Sequence, residues 1–114
     1  MAKQGYVAFD LGAESGRAML ATLDEDRLEL AEMHRFGHEG QHLPSGLHWN
    51  LTGLWSNLQD GLRAAGAGAK KANVELVSLG VDTWGVDYGL IGSSGQLLGL
   101  PFCYRDERHQ AAMA

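Results

Sequence analysis

Short apolar runs with β-prone residues lie on either side of one long stretch of helical spacing. Residues 6–11 (YVAFDL) and 17–24 (RAMLATLD) lack a three-to-four-residue period and are joined through Gly12 and Gly16, which predicts an antiparallel hairpin. After the polar turn at Asp24, Glu25 and Asp26, the residues Leu28, Leu30, Glu32, His34 and Phe36 alternate raggedly, with Ala31 and Met33 on the opposite face. A third antiparallel strand is expected there. Gly37, Gly40, Pro44 and Gly46 break up residues 37–48 and predict an irregular excursion. Asn50 then caps a helix whose face Leu51, Leu54, Trp55, Leu58, Leu62 and Ala65 follows three-four spacing, and Gly66 and Gly68 are expected to end it. That stripe reads as core, not as a partner groove. LVSLGVD (76–82) has the character of a buried strand, so the helix is a crossover returning to the same sheet. WGVDYGLI (84–91) predicts a further strand after a bend at Gly85, and GSSG (92–95) a reverse turn into QLLG, together a second hairpin.

This order predicts an α/β domain with a mixed sheet that starts on an antiparallel hairpin. With 114 residues the chain fits one domain or part of one; its QAAMA end carries no helix stop signal, so a cut within a longer protein is expected. Hydrophobic residues at 45% and charged residues at 20% are ordinary for a globular chain. The net charge of −5, without a Lys/Arg cluster beyond Lys70 and Lys71, argues against a nucleic-acid partner. A single cysteine, Cys103, allows no intrachain disulfide, and the N-terminus has neither a signal-peptide pattern nor a membrane-spanning run, so a cytoplasmic protein is expected. Oligomeric state is not encoded in any of these features.

Chemistry concentrates where apolar runs end in aspartate. Asp10 closes the first, followed by Gly12, Ala13, Glu14, Ser15, Gly16 and Arg17. A turn of small residues can aim backbone N–H groups into one concavity and bind phosphate without formal positive charge. Ser15 adds a hydroxyl, Arg17 a fork of donors, and Asp10 a hard oxygen ligand for Mg²⁺, directly or through water. The competing reading is a plain hairpin in which Asp10 accepts hydrogen bonds from its own turn. Neither GxxxxGK[ST] nor GxGxxG spacing is present, so neither a P-loop nor a dinucleotide-binding turn is supported. Asp82 closes the run LVSLGVD, and Trp84 beside Gly85, flanked by Thr83 and Asp87, suits a polyhydroxylated ligand: the ring covers C–H surface while polar groups take hydroxyls. Alternatively, Trp84 fills a core gap and Gly85 marks a bulge.

The strand, DxGxxxxR turn, strand order is similar to the first phosphate-binding hairpin of the actin and hexokinase superfamily, and the chain resembles the N-terminal segment of FGGY-type carbohydrate kinases. VAFDLGAESGR, LHWN, LGVDTWGVDYGL and YRDER resemble the rhamnulokinase branch of that family, colinearly over nearly the whole chain. The resemblance implies a ribonuclease H-like (actin/hexokinase-type) N-terminal domain, with residues 1–114 forming only part of it and a second domain lying beyond. It implies transfer of the ATP γ-phosphoryl group to the C1 hydroxyl of L-rhamnulose. ATP phosphates would lie on Ala13, Glu14, Ser15, Gly16 and Arg17, Mg²⁺ on Asp10, and the ketose against Gly85 and Trp84. The general-base aspartate and most of the adenine site would lie beyond residue 114, so the chain alone is expected to be inactive. Glu14 departs from the small hydroxyl residue expected at its position, placing an extra carboxylate beside a polyphosphate. Arg105, Asp106 and Arg108 are expected to tie the sheet to the remainder of the kinase or, in the alternative reading, to form a solvated charge run. Rival readings are a non-catalytic sugar-binding or sensing module of the same fold, and a kinase for another ketose such as xylulose or fuculose.

Two other groupings carry no expected chemistry. His34, His38 and His42 would align on a helix as a metal face, but Gly37, Gly40 and Pro44 make that helix improbable. Cys103 has no partner signature of a catalytic thiol.

Overall fold

The computed structural model describes residues 3–108. Its elements in chain order are β1 (Lys3–Leu11), β2 (Ser15–Asp24), β3 (Arg27–Gly37), β4 (Gly40–Leu43), β5 (Gly46–Trp49), α1 (Leu51–Lys71) and β6 (Val74–Thr83). Four strands form a sheet ordered β3-β2-β1-β6. β1–β2 and β2–β3 pair antiparallel, and β6 pairs parallel to β1, so the sheet is mixed and α1 is the crossover. The expected α/β class, the opening hairpin and the return to the same sheet are all present.

Alternation along β1 and β2 decides which face is core. Val7, Phe9 and Leu11 of β1, with Ala18 and Leu20 of β2, are buried beneath α1. Val7, Phe9, Leu11 and Ala18 form one cluster with Phe36 of β3 and Ala65 of α1, and Met33, Leu54, Leu58, Leu76 and Trp84 pack around it. The uneven pattern in β3 has a local cause. A register shift opposite Ala18 and Met19 leaves Met33 without a partner, and this bulge reverses the inward-facing phase between Ala31 and Phe36.

Residues 76–82 do form a strand, within β6, but not the buried one expected: with α1 covering only part of it, Val77, Leu79 and Val81 are all exposed. Three further sequence expectations need correcting. First, α1 runs through Gly66 and Gly68 to Lys71, and the chain turns at Asn73, whose φ of 55° is the left-handed value that commonly terminates helices. The glycines are tolerated because the buried face is built of small residues, Gly61, Ala65 and Ala69, that let the helix lie close on the sheet. Trp55 and Leu62 point away from that face, at 61% and 42% exposed, so they drop out of the core stripe. Second, residues 37–48 are not irregular: β4 and β5 pair as a two-stranded hairpin, with Pro44 and Ser45 at its turn and Gly46 at φ 136°. The breakers sit at its ends and bend. Third, residues 84–90 form no strand. The reverse turn is present, held by Gly95 N–H to Gly92 O and Gly92 N–H to Gln96 O, but the second hairpin amounts to a single bridge between Ile91 and Leu97.

The segment after that turn lies along β5: Trp49 N–H donates to Pro101 O, Cys103 N–H to Leu47 O, and His48 bridges Phe102. This brings the end of the described chain back beside the start of α1. No helix among the described residues is long and apolar enough to cross a membrane.

Candidate functional site

The turn joining β1 to β2 contains only Gly12, Ala13 and Glu14, because β2 already begins at Ser15. Its closing bond runs from Gly12 N–H to Ser15 O at 2.8 Å, so the Gly12 amide is consumed within the hairpin. No residue from 12 to 16 has a left-handed φ, so the turn is not the alternating nest that concentrates many amides on one anion. Among the described residues, no hydrogen bond takes up the amides of Ala13 and Glu14. Ser15 is exposed, whereas Gly16 is buried, and a Cβ there would run into the Phe36 ring.

Asp10 and Arg17 are direct partners across the β1–β2 ladder, and both side chains leave the sheet on the face away from α1. They form an ion pair. The hydrogen bond to Asp10, together with its charge, raises the Arg17 pKa above its ordinary value. Only Nη2 of the guanidinium is engaged there, which leaves its other donors available. Asp82 of β6 is the in-register parallel neighbour of Asp10, so two carboxylate residues lie side by side toward the C-terminal ends of adjacent strands. No cluster of three or more potential metal-binding side chains occurs among the described residues. Mg²⁺ does not demand one, since it usually takes one or two carboxylates and completes its shell with water and phosphate oxygens. On donor chemistry, Asp10 with Asp82 nearby fits this cation, while Arg17 competes for one oxygen of Asp10.

Glu14 is not left bare. Arg105 Nη1 lies 3.3 Å from Glu14 Oε1, and the Arg105 pKa is raised by its hydrogen bond to Tyr104 and, after that, by Glu14. The carboxylate that departs from the expected pattern therefore has a cation beside it. Glu14 and Arg105 also line a cavity of about 800 Å³ with His38, Asn50 and Asn57, of the size range of small-molecule sites. Asn50 caps α1 by accepting from Gly53 N–H at 3.1 Å.

Trp84 follows β6 directly and is half-buried, and its ring stacks on His38 at 5.3 Å and lies 4.8 Å from the ring of Trp49. Gly85 is exposed, and a Cβ added to it would meet nothing within 4 Å. The fold itself does not require glycine there. The His38 imidazole links the two halves of the candidate site, for it faces Trp84 on one side while Nε2 lies 2.6 Å from Gly12 O in the hairpin turn. A carbonyl only accepts, so Nε2 carries the proton. The His38 backbone N–H adds a bond to Glu14 O at 3.0 Å.

Hairpin turn and tryptophan thus come together through residues to which the sequence assigned no part in the site: His38, Trp49 and Arg105. Of these, Trp49 and Arg105 lay within singled-out stretches, LHWN and YRDER, while His38 entered only in a histidine grouping given no chemistry. His34 and His38 flank Phe36 in β3 and just beyond it, while His42 lies in β4, so the three histidines share no helix. Cys103 is a buried thiol. Asp106 does not project away from the chain but is buried, accepting from the amides of Leu47 and Arg108, and the Arg108 guanidinium lies 3.3 Å from the Phe102 ring centroid. The YRDER stretch therefore ties back to β5 and to the hairpin turn.

No family model matches the chain. Curated relatives do. It is 42% identical over 105 residues to a rhamnulokinase of Ligilactobacillus salivarius, covering 92% of this chain and 21% of that protein. It is 41% identical over 116 aligned positions to rhamnulokinases of Pectobacterium carotovorum subsp. carotovorum and Pectobacterium atrosepticum, covering 100% of this chain and 23% of each. The chain spans about a fifth of the length of these relatives. It is a homologue of the rhamnulokinases, related to them along its whole length.

Proposed function

We propose that this chain is the N-terminal part of an FGGY-type sugar kinase, with a ribonuclease H-like first domain, that transfers the ATP γ-phosphoryl group to the C1 hydroxyl of L-rhamnulose in the cytoplasm. The observation that carries this reading is the His38 bridge, which holds together the turn that follows Asp10 and the Trp84 that follows Asp82, two aspartates in register on adjacent strands. Phosphoryl transfer depends chiefly on positioning and on neutralising charge, and this segment offers groups for both. In this reading the free amides of Ala13 and Glu14, the Ser15 hydroxyl and the unengaged donors of Arg17 bind phosphate oxygens, with Gly16 keeping the turn tight against Phe36. Arg105 offsets the charge of Glu14. Asp10 is the residue that would hold Mg²⁺, which when bound offsets charge on the phosphate oxygens. Trp84 presents a ring face, and the open space at Gly85 lets a ketose approach the backbone.

The general base lies outside these residues in this reading, so the 114-residue chain alone transfers no phosphoryl group. The test is a hybrid in which the chain replaces the matching segment of the Pectobacterium carotovorum rhamnulokinase, assayed beside the isolated chain with ATP, Mg²⁺ and a panel of ketoses including xylulose and fuculose. The hybrid should phosphorylate L-rhamnulose best and the isolated chain none of them. A hybrid that prefers another ketose overturns the substrate assignment. A hybrid that folds but stays inactive favours the non-catalytic binding module, and turnover by the isolated chain overturns the placement of the base.

A further inference from the structure

Two indole N–H groups converge on one oxygen. Trp49 Nε1 donates to Asp87 Oδ2 at 2.7 Å and Trp84 Nε1 donates to the same atom at 2.6 Å. The donors come from distant parts of the chain. Trp49 ends β5 and is 4% exposed, with its backbone N–H tied to Pro101 O, so it is a fixed post. Trp84 lies just past the end of β6, in a stretch with no strand pairing. Nothing in the backbone ladder sets the rotamer of Trp84. An indole without a hydrogen-bond anchor in such a segment samples several rotamers, and holding one costs conformational entropy.

Asp87 supplies the missing anchor. Among the described residues no ion pair joins it to a cation, so the two indole N–H groups are what offsets the desolvation of this half-buried carboxylate. His38 lies against both rings, 5.3 Å from Trp84 and 5.5 Å from Trp49, and closes a three-ring cluster. From the shared acceptor and this cluster we infer that Asp87 is a positioning residue: it locks the Trp84 ring into one orientation against Trp49, and so fixes the apolar wall that a ketose would meet. This rests on the proposed sugar site at Trp84 and Gly85. The locking itself is a property of the chain alone.

Trp55, at 61% exposed, serves as an internal reference. The indole N–H signals of the 114-residue chain should show hydrogen exchange of Trp49 and Trp84 slower than that of Trp55 by about tenfold or more, as expected for bonds to a charged acceptor. Asp87→Ala should bring Trp84 to the Trp55 rate and speed Trp49 by less, since Trp49 stays buried. Asp87→Asn, which keeps an acceptor oxygen without the charge, should retain part of the protection. In the hybrid kinase, Asp87→Ala should raise KM for the ketose about tenfold while KM for ATP stays unchanged, with Asp87→Asn in between. Protection that does not depend on Asp87 overturns the inference. So does an equal rise in both KM values, which is what general loosening of the fold would give. A wild-type hybrid that phosphorylates no ketose overturns the sugar reading and the positioning role with it, while the exchange rates still decide whether Asp87 locks the rings.

Discussion

Gly85 and Gly16 are both glycines in candidate site segments, yet the space around them differs. A Cβ at Gly16 would collide with the Phe36 ring, so glycine there serves packing. At Gly85 a Cβ meets nothing within 4 Å and φ is not left-handed, so the folded chain does not explain the residue. Gly85→Ala should therefore change stability by no more than about 0.5 kcal/mol, the usual range for a surface change, when measured by thermal unfolding. If a ketose approaches that backbone, the same variant should raise KM for the ketose in the hybrid by about tenfold or more through steric exclusion. An unchanged KM would show that no ligand group occupies this space. At this scale the sequence was informative about residue types and poor about partners. Asp10, Trp84 and Gly85 stand out because each follows an apolar run. That Arg17 is paired to Asp10, Glu14 to Arg105 and Asp87 to two indoles depends on ladder register and on contacts across tens of residues, and no local pattern carries either.

Among the elements, α1 shows how tertiary packing overrides local signals. Glycine weakens an isolated helix by about 1 kcal/mol per residue relative to alanine, which is why Gly66 and Gly68 read as a terminus. In the fold, a Cβ at Gly61 would sit 2.9 Å from Ala18 Cβ and 3.1 Å from the Phe9 ring, and one at Gly68 would meet Met33 Sδ at 2.6 Å. Close approach to β2 and β3 is what these glycines provide. Gly66 has nothing within 4 Å of its Cβ position. The two glycines should therefore respond in opposite directions. Gly66→Ala should stabilise by about 0.5–1 kcal/mol through helix propensity, whereas Gly61→Ala should destabilise by about 1–2 kcal/mol because the clash with a rigid Ala18 methyl outweighs that gain. Chemical denaturation of both variants checks this, and the same sign for both would refute the close-packing account. The opening hairpin and the crossover were legible because period and turn chemistry agree there. β4 and β5 were not, because each is only four residues long and its breakers mark the ends of strands as readily as a loop.

At the scale of the whole fold, the described residues place a helix on one face of the sheet only, and α1 does not extend over the outer part of β6. Leu79 and Val81 are in register with the buried Val7 and Phe9 of β1, yet are 55% and 56% exposed. The outer edge of β6 has no strand partner among the described residues. A parallel pair is normally covered on both faces, and an open edge beside apolar side chains is a template for pairing with another chain. The radius of gyration, 17.4 Å, exceeds the roughly 13 Å expected of a compact domain of this length, as a one-sided layer would give. The isolated chain should therefore self-associate at micromolar concentration through β6. Sedimentation velocity on the isolated chain should show concentration-dependent oligomers. The double variant Leu79→Lys with Val81→Lys should shift them to monomer without lowering the unfolding midpoint, since neither side chain is buried. In the hybrid kinase, where most of a rhamnulokinase chain is present to pack on this strand, the same pair of lysines should instead destabilise, because charge would then be placed in an interior. If the isolated chain stays monomeric at all concentrations, or if the lysines leave the hybrid untouched, β6 is not the face on which the rest of a rhamnulokinase packs.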